Sequence, residues 1–518
     1  MMLRRVILLC WVFVLSGICI AQRSEPARFE AEAVGKDQRI FFQPYCGDNV
    51  ITIVETNIIE EKKLKVWDVV HLDSSLYELE HKSILLDKEM RLSKSGHSSS
   101  CCAFLFSDEH RKKNDTIRYE LYMFDNESLE PIVMHGRFPR NYQIRALHVL
   151  ETNIMILAQS AVGTGELHFY SMKTSFSQQY HLALSNDFIF AQSSVLSRQN
   201  CYVVSAKEFK DKVYYRTSFL LFSPDGKLIK QFQYDNPEHL TLGRMCFDAD
   251  VEGRLVVYAT LERYSNRKRT AIQQPEELDK TSLGVVWLKF NGNEASSKIY
   301  LFKNMRGMEK ALSGEDMLRV KEDDRQRKKK NDPTKKEISF LLSVPQLCRF
   351  GALNVFSAEA FRPSYHTETR MEYGFYGMMP QTYTIFDGFE NLSTIILAFD
   401  DDGELKWNAY SKFDPVLSYN LASVSFVYPI HDELVVAQAS DNTINYEVFS
   451  PVGHKLLSNE KTRIKLKNSS DRLEYEDFSR MSSWYGNRFL ISGSQTLLNS
   501  SMKKGRREVV FLQKVQFE

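Results

Sequence analysis

Few residues in this chain are spaced for chemistry. The densest set is Cys246-Phe247-Asp248-Ala249-Asp250-Val251-Glu252-Gly253. Acids at alternate positions ahead of a glycine can converge on one hard cation, and glycine permits the sharp turn such a loop needs. Asp248, Asp250 and Glu252 are therefore candidate calcium ligands. The match ends early. An EF-hand loop closes on a Glu and is flanked by helices, whereas Arg254-Leu255-Val256-Val257-Tyr258 reads as a strand. An Asp/Gly hairpin turn is the plainer reading, and the same holds for Asp400-Asp401-Asp402-Gly403. No metal and no cofactor is expected.

Hydrolase signatures are missing: there is no G-x-S-x-G, no H-E-x-x-H and no phosphate-cradling glycine loop. The twelve His are scattered, and His431-Asp432-Glu433 reads as a surface turn. Two of the eight cysteines, Cys10 and Cys19, lie in the N-terminal leader described below. The other six are Cys46, Cys101, Cys102, Cys201, Cys246 and Cys348. They form no C-x-x-C, so a zinc site is not indicated. They read as buried thiols in strands. Disulfides remain open in an exported chain, and their pairing is not legible. Five triplets beginning at Asn114, Asn126, Asn391, Asn468 and Asn499 fit the N-glycan acceptor pattern.

A third set is aromatic. Residues 362–391 hold Tyr365, Tyr373, Phe375, Tyr376, Tyr383 and Phe386 in what reads as an insertion. Polar loops stay solvated at little cost, but aromatic ones must bury their rings somewhere. An extra hairpin packed over one face of the fold is expected, with these six residues as partner-binding candidates. A second insertion, about 305–337, is charged. Arg325 to Lys336 holds seven Lys or Arg and one Asp and reads as a solvated loop. Met308 to Lys321 is the one stretch with any helical periodicity.

The elements that must position these residues are strands. A β run ending in Phe, a polar turn with Gly and another β run recur at Leu221–Leu228, Ala398–Leu405 and Val448–Lys455. The most apolar runs include Ile51–Val54, Ala103–Phe106, Ile154–Ala158, Tyr202–Ser205 and Leu255–Ala259, spaced about fifty residues apart, near one four-stranded blade. Later copies are Leu353–Ala358, Leu434–Ala437 and Phe489–Gly493. Several end in Ala, Ser or Gly, and we expect these to be the inner strands converging on an axis. Trp67, Trp287 and Trp407 read as packing residues. The fold expected is an all-β propeller of seven or eight blades, each of about four antiparallel strands. The last repeat is short, so Arg28 to Val34, alternating apolar and charged, is expected to pair with the blade built from Phe489 to Phe517 and close the ring.

Residues 1–21 read as a signal peptide, with Arg4 and Arg5, an apolar Val6–Leu15 run and small residues at Cys19 and Ala21. Lipidation of Cys19 is the competing reading. No later run reaches membrane-spanning length, so 22–518 is expected to be one propeller domain with two insertions. The formal net charge of +1 gives no field for nucleic acid.

The run Ala358-Glu359-Ala360-Phe361-Arg362-Pro363-Ser364-Tyr365 is followed by Pro380 to Gly388 and by Ala398-Phe399-Asp400 through Trp407-Asn408. Over Ser357 to Tyr410 the chain resembles exported, propeller-like proteins of unassigned function from Bacteroidota, whose signals often end as Ala21-Gln22 does. The resemblance implies a Gram-negative envelope location, periplasmic or at the outer membrane, and brings no catalytic residues. The function expected is a non-enzymatic binding or scaffolding module with an envelope protein or glycan as partner. The alternative is a carbohydrate-active or peptide-cleaving hydrolase with acids gathered in an axial pocket.

Overall fold

The computed structural model describes residues 27–517 except 33–39, 46, 61–62, 110–114, 126–128, 161–163, 175, 183, 185–186, 211–212, 238–239, 264–280, 313, 315–324, 326–336, 375–376, 420–422, 469 and 500–504. The leader, Cys46, Phe375, Tyr376, Asn114, Asn126 and nearly all of the charged run lie outside them.

Eight antiparallel sheets follow one another along the chain. Blade 1 is Ile40–Tyr45, Asn49–Glu60, Leu64–Leu72 and Glu78–Asp87. Blades 2 to 5 repeat the four-strand meander, ending with Leu240–Ala249, Leu255–Arg263, Ser282–Asn291 and Glu294–Leu301 in blade 5. Blade 6 is built on Gln346–Phe350, Leu353–Gly374, Gly377–Phe399 and Leu405–Ser411, with short additions at Leu341–Leu342 and Leu417–Ser418. Blade 7 runs from Ser425 to Arg463, and blade 8 starts at Asp471.

The apolar runs are the second strands, not the innermost ones. Each blade's first strand ends its sheet, and the first strands of successive blades touch around the axis. The apolar character has a different cause. A second strand is covered on both faces: Tyr202, Val204 and Ala206 pack toward blade 3, while Cys201 and Val203 pack toward blade 5. A strand buried on both faces reads as a continuous apolar run. Eight such inter-blade cores are present, one at every junction including blade 8 with blade 1.

The recurring Phe–turn–Gly sentence is the hairpin between the third and fourth strands. Gly226, Gly403 and Gly453 all have positive φ and donate their N–H to the carbonyl three residues back. Each lies against a ring of the preceding blade: Phe169, Trp287 and Trp407. Trp67 and Trp287 are buried as packing residues.

The N-terminal strand, Arg28–Glu32, is the outer strand of blade 8 and pairs antiparallel with Arg506–Gln516. A buried ion network fixes it there. Arg28 donates to Glu30 and Gln495, both at 2.7 Å, and its guanidinium lies 4.1 Å from the Phe511 ring centroid. Arg507 bridges Glu30, at 2.9 Å, to Asp471.

One further expectation changes. The 305–337 insertion begins inside the core: Met305, Met308, Ala311 and Leu312 pack between blades 5 and 6. Met308–Ala311 forms a single 3-10 turn there. Asn391 and Asn499 are buried and hydrogen-bonded, so neither is open to a glycan. Cys102 is buried. Cys101, Cys201, Cys246 and Cys348 are free thiols, and burial pushes Cys101 and Cys201 up to about 11 and Cys246 and Cys348 up to about 12. They are inert at neutral pH.

Candidate functional site

The aromatic insertion is a continuation of blade 6. Its second and third strands run on past the blade as a two-stranded ribbon, paired from Ser364–Gly388 to Gly374–Gly377. Eleven residues at about 3.4 Å each give a ribbon of about 35 Å. It does not lie over a propeller face. The side chains beyond its base are largely exposed, with Tyr373 86% accessible. Only the base is packed, where Phe386 meets Tyr365 and Phe389 with ring centroids 5.5 and 5.0 Å apart, beside Phe361 and Leu341.

Register sorts the ribbon into two unlike faces. On one, Tyr365, Thr367, Thr369, Met371 and Tyr373 stand opposite Phe386, Thr384, Thr382, Pro380 and Met378. That face carries no charge. On the other, His366, Glu368, Arg370 and Glu372 stand opposite Ile385, Tyr383, Gln381 and Met379. Its charges are partly paired, His366 with Asp387 and Glu368 with Arg370. Of the six aromatic candidates, Tyr365, Tyr373 and Phe386 share the uncharged face, Tyr383 sits on the charged one, and Phe375 and Tyr376 are outside the described residues. A bulge at Ser364/Tyr365 sets which residue goes where.

The acidic set has a local job. Asp250 closes the turn between the first two strands of blade 5, accepting from the N–H of Glu252 at 3.0 Å and of Arg254 at 2.8 Å. Its other oxygen meets Arg254 Nε at 2.6 Å and Lys289 Nζ at 3.0 Å. Burial alone would push this carboxyl up, but those hydrogen bonds and cations outweigh it and hold it at about 2. Asp248 accepts from its neighbour's N–H, and Glu252 pairs with Arg254. The three do not converge, and no group of three metal-ligating side chains occurs among the described residues.

Sequence reasoning missed a polar cavity at the axis, of about 720 Å³, formed where the first strands of blades 1 to 4 meet their following turns. His97 Nδ1 bonds Gln43 Oε1 at 2.7 Å, and Gln43 Nε2 donates to Ser95 Oγ at 2.8 Å. His148 Nε2 bonds Ser193 Oγ at 2.7 Å. Burial lowers His97, and lowers His148 to about 4. Among the described residues one carboxylate, Glu151, lines the cavity, and no facing acid pair of the kind a glycosidase uses stands there. First strands are mixed in polarity, and nothing in their pattern flagged them.

No protein-family model matches the chain, and no curated protein matches it. Among solved structures it is similar to the WD40 domain of SCAP from fission yeast, at 10% identity over 95% of this chain and 98% of that one, TM-score 0.39. It is similar to the β-propeller domain of the Trilobed protease from Pyrococcus furiosus, at 8% identity over 81% and 97%, TM-score 0.34. A prolyl endopeptidase aligns at 10% identity over 90% of this chain, TM-score 0.39, and this chain spans 54% of its length. Such likenesses concern the propeller form and carry nothing about activity.

Proposed function

We propose that this protein is an exported, non-catalytic propeller whose ribbon captures a partner protein in the cell envelope. One observation carries the reading: an uncharged, aromatic and methionine-bearing face stands in water on a ribbon too thin to own a core. A lone two-stranded hairpin is marginal in water, and the exposed Met371, Tyr373 and Met378 clustered near its tip are apolar surface of the kind that marks interaction sites. Aromatic and Met side chains are also those enriched at interfaces. The location rests on the leader at 1–21 and on the resemblance to exported Bacteroidota proteins.

Tyr373→Ala with Met378→Ala should abolish recovery of the partner from envelope extract. Glu368→Gln with Arg370→Gln, on the opposite face, should leave it. Equal recovery with both pairs would contradict the reading. The hydrolase alternative draws on the hydrogen bond from Ser193 to His148. Among the described residues that pair has no carboxylate partner, and a base near 4 is a weak one at neutral pH.

A further inference from the structure

The axial cavity is separate from the ribbon and has a chemistry of its own. It lies where four successive blades bring their first strands together. Its polar lining includes Gln43, Ser95, His97, Ser98, His148 and Ser194. All are neutral donors or acceptors when the imidazoles are unprotonated. Among the described residues no Lys or Arg lines it, and one acid does, Glu151, which is exposed beyond the strand ends.

We infer that this cavity binds a small, uncharged, polyhydroxylated molecule of mono- or disaccharide size. Size is the first argument. Ligand pockets run from about 300 to 1,000 Å³, and this one is about 720 Å³. Charge is the second. A phosphate or carboxylate entering here would be desolvated with no cation to pair with, which costs several times a neutral group's penalty. A hydroxyl-rich ligand avoids that cost and can both donate and accept.

The third argument is preorganisation. Gln43 Oε1 accepts from His97 Nδ1, which fixes the neutral tautomer and leaves His97 Nε2 an acceptor. Ser98 is held by donating to the Glu151 carbonyl at 2.6 Å. Each first strand also ends its sheet, so its axial edge offers backbone N–H and C=O groups to whatever occupies the channel. Leu147, Val149 and Val195 supply apolar patches for the carbon skeleton. Burial keeps His148 and His97 uncharged at neutral pH.

The test is calorimetric titration of the whole mature protein with glucose, maltose and cellobiose, against glucosamine, glucuronate and glucose 6-phosphate. We expect at least one neutral sugar to bind with a Kd of about 1 mM or tighter, and each charged sugar at least about tenfold more weakly. Gln43→Leu and, separately, Ser194→Ala should each weaken the neutral sugar about fivefold or more with the melting temperature kept. Two variants guard against one that fails to fold. Absence of binding by all three neutral sugars, binding of a charged sugar equally well, or binding indifferent to both substitutions would overturn the proposal.

Discussion

At the residue scale two positions, Glu359 and Gly403, make testable predictions. Glu359 is buried within blade 6's second strand. Both its oxygens accept from the Val424 N–H, at 3.1 and 3.0 Å, and one also accepts from the Ser425 N–H at the start of blade 7. Burial pushes its carboxyl up to about 7, against the pull of those hydrogen bonds. An unfolded Glu titrates near 4.5. Between 4.5 and 7 the folded state therefore holds a proton that the unfolded state has lost. Stability is greatest below about 4.5 and falls as pH rises through about 7, by on the order of 2–3 kcal/mol. Thermal melts at pH 5 and pH 8 should show this fall in the wild type and most of it removed in Glu359→Gln; an equal fall in both would assign it elsewhere. Gly403 is the second case. With φ at +75° and an added Cβ only 2.1 Å from the Trp287 ring, Gly403→Ala should cost about 2–4 kcal/mol in denaturant titrations. A loss under about 1 kcal/mol would mean the ring moves aside freely.

Elements differ in how plainly the sequence announces them. Second strands are loud, because burial on both faces writes an unbroken apolar run. Turns are loud too, because a positive φ against an aromatic ring leaves only Gly. The closing strand Phe29-Glu30-Ala31-Glu32 could be read from its alternation and from the short last repeat. Its latch could not: Arg28, Glu30, Arg507 and Asp471 meet only in space. First strands are quiet, so the axial cavity stayed invisible and the apolar runs were placed one strand too far in. The ribbon was half legible. Aromatic density at 362–391 marked an extra hairpin, but not that only its base, where Phe386 meets Tyr365 and Phe389, would be packed. The closing strand also makes a prediction. Beginning the chain at Gly35 removes one strand and half the latch, exposing the edge of Arg506–Gln516. Melting temperature and solubility should both drop; a truncated chain that melts like the intact one would mean that the latch contributes nothing.

At the scale of the whole molecule, eight blades close into a ring and blade 6 carries the ribbon, the proposed binding surface, as a separable appendage. The ring owns the core: its eight inter-blade clusters contain nothing from the ribbon beyond the base. The ribbon owns the exposed rings. One measurement joins the two statements. Replacing Thr367–Thr384 by Asn-Gly keeps the His366–Ile385 pair and closes the shortened hairpin with a tight turn. The trimmed and intact proteins are then compared for melting temperature and for partner recovered from envelope extract. The trimmed protein should melt within about 2 °C of the intact one, since little buried surface is lost, and recover no partner. A trimmed protein that folds equally well and still recovers the same partner would contradict the ribbon's proposed role.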